Sequence, residues 1–245
     1  MKTALITGAN KSIGFEVAQQ LLQAGYYVYL GSRDSEKGEQ AVAKFKSQGL
    51  DQVEVIQIDV SNSATIHTAR VELGNKITSL DVLINNAGIR GEGDPSASFI
   101  TPKAIRDVFN TNFFGTIEMT QAFLDLLRAS DAPRIVNVTS GLTSLTLHSD
   151  PNWKYYKFKG AAYGPSKTAL NAYTIALAFE LRDTPFKINA VDPGYTATDF
   201  NQHQGTGTVE DAAARIVKYA TIGQDGPTGG FFSDDNNPET GVSPW

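Results

Sequence analysis

The chain has 245 residues, of which 41% are hydrophobic and 19% charged, and it carries a formal charge of −5. That length builds one sizeable core, and a mildly acidic balance supplies no basic field for a nucleic-acid backbone or an anionic membrane surface. Without cysteine there is no disulfide framework, thiolate nucleophile or Cys-ligated metal, and His67, His148 and His203 show no ligand spacing.

No Pro/Gly/Ser-rich linker, charge block or repeat of solenoid length divides the sequence, so a single domain over 1–245 is expected. The opening apolar run is too short for a signal peptide and enters a glycine turn at once, which predicts a cytoplasmic chain with no spanning segment.

Short β-branched runs alternate with stretches of helical period. Strands are predicted near 3–7, 26–32, 52–58, 81–84, 133–139, 187–191 and 229–232, and helices near 13–24, 35–47, 62–77, 103–129, 161–182 and 208–220. Asp81-Val82-Leu83-Ile84 and Arg134-Ile135-Val136-Asn137-Val138 are almost continuously apolar, as strands are when helices cover both sheet faces. The fold class is therefore α/β: a doubly wound parallel (Rossmann) sheet of about seven strands in three αβα layers, with ligands beyond the carboxyl ends of the strands.

The first strand runs into Thr7-Gly8-Ala9-Asn10-Lys11-Ser12-Ile13-Gly14 and then directly into a helix. Gly8 permits a tight turn, Gly14 allows helix and sheet to approach, and the free N–H groups at the helix start attract a pyrophosphate. The second strand ends in Leu30-Gly31-Ser32-Arg33, where an NAD site would place a carboxylate on the ribose hydroxyls. None stands at 31, 32 or 33. Arg33 can pair bidentately with a 2′-phosphate and Lys11 adds a second charge, which favours NADP(H); otherwise both are solvated surface charges and Asp34 simply caps the next helix.

With these motifs in place, the chain resembles the short-chain dehydrogenase/reductase family, and the Asn10-Lys11 turn followed by Ser32-Arg33-Asp34 resembles its carbonyl-reductase branch. Gly226-Pro227-Thr228-Gly229-Gly230-Phe231-Phe232 extends the likeness to almost the full length. One departure is Ser12, where the family turn usually has a third glycine; its Cβ and hydroxyl bring either a fit penalty or an extra hydrogen bond. The resemblance implies that Asp59 and Val60 flank the adenine and that Asn86, Ala87 and Gly88 line the cofactor channel, while Asn85 either lines it too or braces the sheet.

Four residues carry the chemistry in that family, and this sequence supplies a match for each: Asn112, Ser140, Tyr163 and Lys167. Tyr163 and Lys167 lie one helical turn apart and share a face. A phenol titrates near pH 10, so the resemblance implies that the Lys167 ammonium lowers the Tyr163 pKa and holds the ribose, leaving Tyr163 to act as general acid/base. Ser140, at the end of the fifth strand, would stabilise the substrate oxygen. Asn112 would anchor a proton-relay water; Asn110 competes for that role, and the following Phe113-Phe114-Gly115 favours Asn112. Pro165 is compatible with a helix beginning near 162, where it falls in the first turn.

The Pro193-Gly194 turn with Thr196 and Thr198 is expected to close on the nicotinamide half, or else only to end a strand. The connection from Ser140 to Tyr163 is longer than is usual in the family and shorter than the insertion of its monomeric carbonyl reductases. Its His148, Trp153, Tyr155, Tyr156 and Phe158 either wall an apolar substrate pocket, with segments 141–162 and 195–207 as its sides and Phe200 in the lid, or cover a surface such as an oligomer contact. Trp153→Ala is accordingly expected to alter substrate preference more than cofactor affinity. The implied activity is NADPH-dependent reduction of small, apolar ketones or aldehydes, with monomer or homo-oligomer undecided. The alternative is an NAD(P)-binding redox-sensing regulator without turnover, which would usually lack the Tyr or the Lys. No metal is implied.

Overall fold

The computed structural model describes residues 1–245. Seven parallel strands form one sheet in the order β3-β2-β1-β4-β5-β6-β7: β1 (Thr3–Ile6), β2 (Tyr27–Ser32), β3 (Val53–Gln57), β4 (Val82–Asn85), β5 (Arg134–Val138), β6 (Lys187–Val191) and β7 (Phe231–Phe232). The order reverses between β1 and β4, which places a crevice at their carboxyl ends.

Alternate residues of each strand point to opposite faces. In β1, Ala4 and Ile6 enter one core and Leu5 the other. The first core takes Val17 and Leu21 of α1 (Ser12–Gln23), Phe45 of α2 (Ser35–Ser47), and Ile216 and Tyr219 of α8 (Val209–Ala220). The second takes Ile66 and Leu73 of α3 (Ser63–Gly74), Phe123 and Leu127 of α5 (Gly115–Arg128), and Leu177 of α7 (Tyr163–Glu180). Covering on both faces explains the continuous apolar strands.

The long helix expected over 103–129 is divided. It comprises α4 (Pro102–Phe109), a π-helical turn (Asn110–Phe114) and α5. The π-turn is a single turn inside an otherwise α-helical run and contains no proline, so no break signal in the sequence marks it. A short α6 (Leu145–His148), absent from the expected elements, follows Ser140. Helix α7 starts at Tyr163, which puts Pro165 in its first turn, where no intrahelical N–H is lost.

Beneath the strand ends lies a polar brace. Asn85 Nδ2 donates to Asn137 Oδ1 at 2.9 Å and to Thr120 Oγ1 at 3.1 Å, and Asn137 Nδ2 donates to Thr174 Oγ1 at 2.9 Å. Asn85 thus ties β4 to β5 and α5 and does not line the cleft. No helix is long and apolar enough to cross a membrane.

Candidate active site

A cleft of about 1910 Å³ lies over the carboxyl ends of the strands, larger than the ~300–1,000 Å³ typical of a pocket for one small ligand. Its outer end is the turn between β1 and α1. Gly8 adopts φ +64°, and a Cβ on Gly14 would lie 2.5 Å from Gly8 O and 2.6 Å from Asn86 Nδ2, so both positions require glycine. Asn86 Nδ2 pins the turn to the end of β4 by donating to Thr7 O at 2.9 Å and Gly8 O at 3.1 Å.

Ser12 occupies φ +51°. The turn therefore keeps the left-handed backbone of a glycine-rich loop although a side chain is present. Helix α1 has no side-chain cap and no acidic residue in its first turn, so uncompensated N–H groups point into a cleft lined by Ser12, Ile13 and Gly14. Those features fit a pyrophosphate.

Lys11 and Arg33 both line this end with Asn10, and Asp59 and Val60 border it across from the turn. Ser32 is buried, its hydroxyl donating to Asp34 O at 2.7 Å. The Asp34 side chain accepts from Lys37 N at 3.1 Å as the α2 cap, so β2 ends without a carboxylate facing the cleft. Ala87, Gly88, Pro193, Gly194, Thr196 and Thr198 continue the lining inward.

Ser140, Tyr163 and Lys167 converge at the inner end. Tyr163 and Ser140 line the same end of the cleft, with the Ser140 hydroxyl close enough to act on the phenol, and Lys167 Nζ donates to Val138 O at 2.8 Å. Asn112, fully buried in the π-turn, stands behind them. A Cβ on Gly88 would lie 3.3 Å from Asn112 Oδ1 and 3.4 Å from Lys167 Nζ, so both side chains abut the channel wall at one point. Asn110 is exposed. Asn112 Oδ1 accepts from Ile89 N at 2.8 Å, and Nδ2 donates to Ile89 O at 2.9 Å and Ser166 Oγ at 3.0 Å. Its side chain is thereby tied to the Ile89 backbone and to Ser166, and its backbone carbonyl accepts from Thr116 Oγ1 with a lone pair to spare for a relay water.

The electrostatics differ from the expectation of an acidified phenol. Burial pushes the Tyr163 phenol up, and the Asp192 carboxylate adds to the rise, against a smaller lowering by the Ser140 hydrogen bond. Burial also brings the Lys167 ammonium down to about 8. With its ammonium turned to Val138 O, Lys167 does not offset the burial of the phenol, which stays protonated. Sequence spacing supplied the shared helix face; it carried no information on burial or on Asp192.

The substrate side is aromatic. Tyr155, Phe158, Tyr195 and Phe200 line the cleft, with Tyr155 and Tyr195 at 6.2 Å between ring centroids and Phe200 5.3 Å from Tyr163. Trp153 does not line it: the indole packs edge-on behind, 4.8 Å from His148 and 5.5 Å from Tyr155. Tyr156 is also outside the lining, beneath the Lys159 ammonium at 3.9 Å.

The short chain dehydrogenase family profile matches residues 2–208. The chain is 38% identical to the short-chain dehydrogenase anuI of Penicillium roqueforti, covering 95% of this chain and 94% of that one. It is 32% identical to the (+)-neomenthol dehydrogenase of Capsicum annuum, covering 94% of each. Among solved structures, the NADPH-bound carbonyl reductase from chicken fatty liver superposes with a TM-score of 0.84 at 26% identity, over 100% of this chain and 99% of that one. With the parallel sheet and its cleft, these matches establish that the chain belongs to the short-chain dehydrogenase/reductase family and is an oxidoreductase.

Proposed function

We propose that the chain reduces ketones or aldehydes with NADPH. The observation that carries this reading is the convergence of Ser140, Tyr163 and Lys167 at the inner end of a cleft whose outer end is an uncapped helix start flanked by Lys11 and Arg33.

Bound NADPH supplies the hydride. Gly8, Asn10, Ser12, Ile13 and Gly14 cradle its pyrophosphate, and Lys11 and Arg33 meet the 2′-phosphate. Asp59 and Val60 flank the adenine. Asn86, Ala87 and Gly88 form one side of the channel, and Pro193, Gly194, Thr196 and Thr198 form the other.

Ser140 and Tyr163 both point hydroxyl protons at the substrate oxygen. Ser140 stabilises the developing negative charge, and Tyr163 transfers its proton to that oxygen as the C–H bond forms. A phenol held protonated by burial is already in the donating form, which suits reduction better than oxidation. Lys167 holds the ribose and stands ready to return a proton to Tyr163, with the Asn112 carbonyl anchoring the water that resupplies it.

The apolar rings of Tyr155, Phe158, Tyr195 and Phe200 favour a substrate with an aromatic or alicyclic body. The relatives support this, since one is by name a (+)-neomenthol dehydrogenase.

The test is initial-rate oxidation of NADPH and of NADH over a panel of aldehydes and aliphatic, alicyclic and aromatic ketones. NADPH is expected to be preferred at least about tenfold, one charge-assisted phosphate contact being worth ~1.5–3 kcal/mol. Equal rates with the two cofactors would remove Lys11 and Arg33 from the phosphate site.

A further inference from the structure

Asp192 closes the carboxyl end of β6 and is buried. No cation touches it. Its Oδ1 accepts from Gly194 N at 3.0 Å and its Oδ2 accepts from Ser233 Oγ at 2.6 Å, while Gly141 packs directly against Oδ2. Burying a carboxylate without a counter-charge is expensive unless its lone pairs are used, and here burial pushes the carboxyl up despite the donors on both oxygens.

The groups packed on the Asp192 carboxylate come from three different loops. Gly194 belongs to the turn after β6, Ser233 to the segment after β7, and Gly141 directly follows Ser140 after β5. Ser233 Oγ in turn accepts from Asn236 N at 3.1 Å, and Asn236 Nδ2 donates to Gly141 O at 3.1 Å. The Gly141 carbonyl is therefore held from the segment after β7, and Asp192 at the end of β6 reaches the same segment through Ser233. The fit leaves no slack, since a Cβ on Gly141 would lie 3.0 Å from Asp192 Oδ2 and 3.1 Å from Asn236 Oδ1. Further along the same loop, Ser144 Oγ and Thr146 N both donate to Trp245 O, at 3.3 and 3.1 Å.

The surrounding charges give Asp192 no second task as an ion-pair partner. Lys154 and Tyr155 are engaged by Asp235, and Arg215 donates to Pro193 O and faces Asp234. Lys167 is turned to Val138 O, and Tyr163 is the remaining titratable neighbour.

We infer that Asp192 is a positioning residue for Ser140: it fixes the Ser140–Gly141 step by packing directly against Gly141 and couples it, through Ser233 and Asn236, to the C-terminal segment 233–245. The inference rests on Ser140 being the group that meets the substrate oxygen. A hydroxyl that must sit within a fraction of an ångström of a developing charge needs a rigid loop, and a buried carboxylate that gathers three strand ends supplies one.

The experiment compares the full-length wild type, Asp192→Asn and Ser233→Ala. Asp192→Asn sets an amide N–H against a donor, and Ser233→Ala removes one bond while keeping the carboxylate. Hydrogen exchange of the 139–145 segment, with and without NADPH, is expected to accelerate about tenfold in Asp192→Asn and severalfold in Ser233→Ala, the loss of one net hydrogen bond or more. Exchange in the 12–23 helix should stay unchanged. In ketone reduction kcat should fall about 10- to 100-fold in Asp192→Asn, with the Kd for NADPH, read by its fluorescence, within about twofold.

Unchanged exchange at 139–145 in both variants overturns the inference whatever the activity does. So does a loss confined to NADPH binding. A wild type that reduces no carbonyl compound would refute the proposed reaction and not the brace, which the exchange measurement reads on its own.

Discussion

Lys11 Nζ lies 2.7 Å from Asp199 Oδ2, joining the glycine turn at the start of the chain to the loop that follows β6. The pair crosses the mouth of the cleft, and His203 Nε2 approaches the other Asp199 oxygen at 3.0 Å. The cation assigned to the cofactor phosphate is therefore shared with an acidic residue of the opposite wall.

Asp199→Asn should free Lys11 for the phosphate. Exposed pairs are weak, so the expected change is modest: NADPH binds about two- to fivefold more tightly, NADH affinity does not move, and the difference shrinks at high salt. Fluorescence titration with both cofactors checks it. A Kd for NADPH that rises would mean that the pair acts chiefly as a latch.

The Lys167 ammonium titrates near 8 in the folded chain against an ordinary value of 10.5. Between pH 8 and 10 the unfolded chain then binds more protons at this site than the folded one, so stability rises with pH across that window. The gain is roughly 2 kcal/mol. Above pH 10 the raised Tyr163 phenol, which keeps a proton that the unfolded chain releases, opposes it. Urea unfolding of the cofactor-free chain from pH 7 to 10 should show the rise, and Lys167→Met should abolish it.

Ser12 holds a left-handed backbone at φ +51°, which costs a non-glycine residue about 1 kcal/mol. Ser12→Gly should recover that amount, raising Tm by about 2–4 °C, with NADPH affinity unchanged or improved. If Tm falls instead, the Ser12 side chain makes a compensating contact.

Phe158 and Phe200 line the substrate side and Trp153 does not. Phe158→Ala and Phe200→Ala should each raise KM for a bulky aromatic ketone about tenfold relative to a small aliphatic one, with the KM for NADPH unchanged. Trp153→Ala should do less, because the indole acts only indirectly, through its edge contacts with His148 and Tyr155. Equal effects from all three would place Trp153 against substrate.

Much of this architecture was legible in the sequence. Apolar strands such as Asp81-Val82-Leu83-Ile84 announce a sheet covered on both faces, and Gly8 and Gly14 mark where backbone must approach backbone. Tyr163 and Lys167 could be set on one helix face from spacing alone. What spacing cannot carry is burial and direction. The π-turn at Asn110–Phe114 is one turn between two helices and contains no proline to mark it, Trp153 reads like its aromatic neighbours although it packs behind the cleft, and the rise of the Tyr163 phenol comes first from burial and then from Asp192, both visible only once the strand ends are assembled.

The central claim is that Tyr163 supplies the proton in a hydride reduction. Tyr163→Phe removes one hydroxyl from a site in which Ser140 and the cofactor turn are untouched, so it separates chemistry from binding. The decisive measurement is kcat/KM for NADPH-dependent ketone reduction beside the Kd for NADPH, in wild type and Tyr163→Phe. The expected result is a loss of about 10²–10⁴-fold in kcat/KM with the Kd within about threefold; a variant that retains most of the wild-type rate would contradict it.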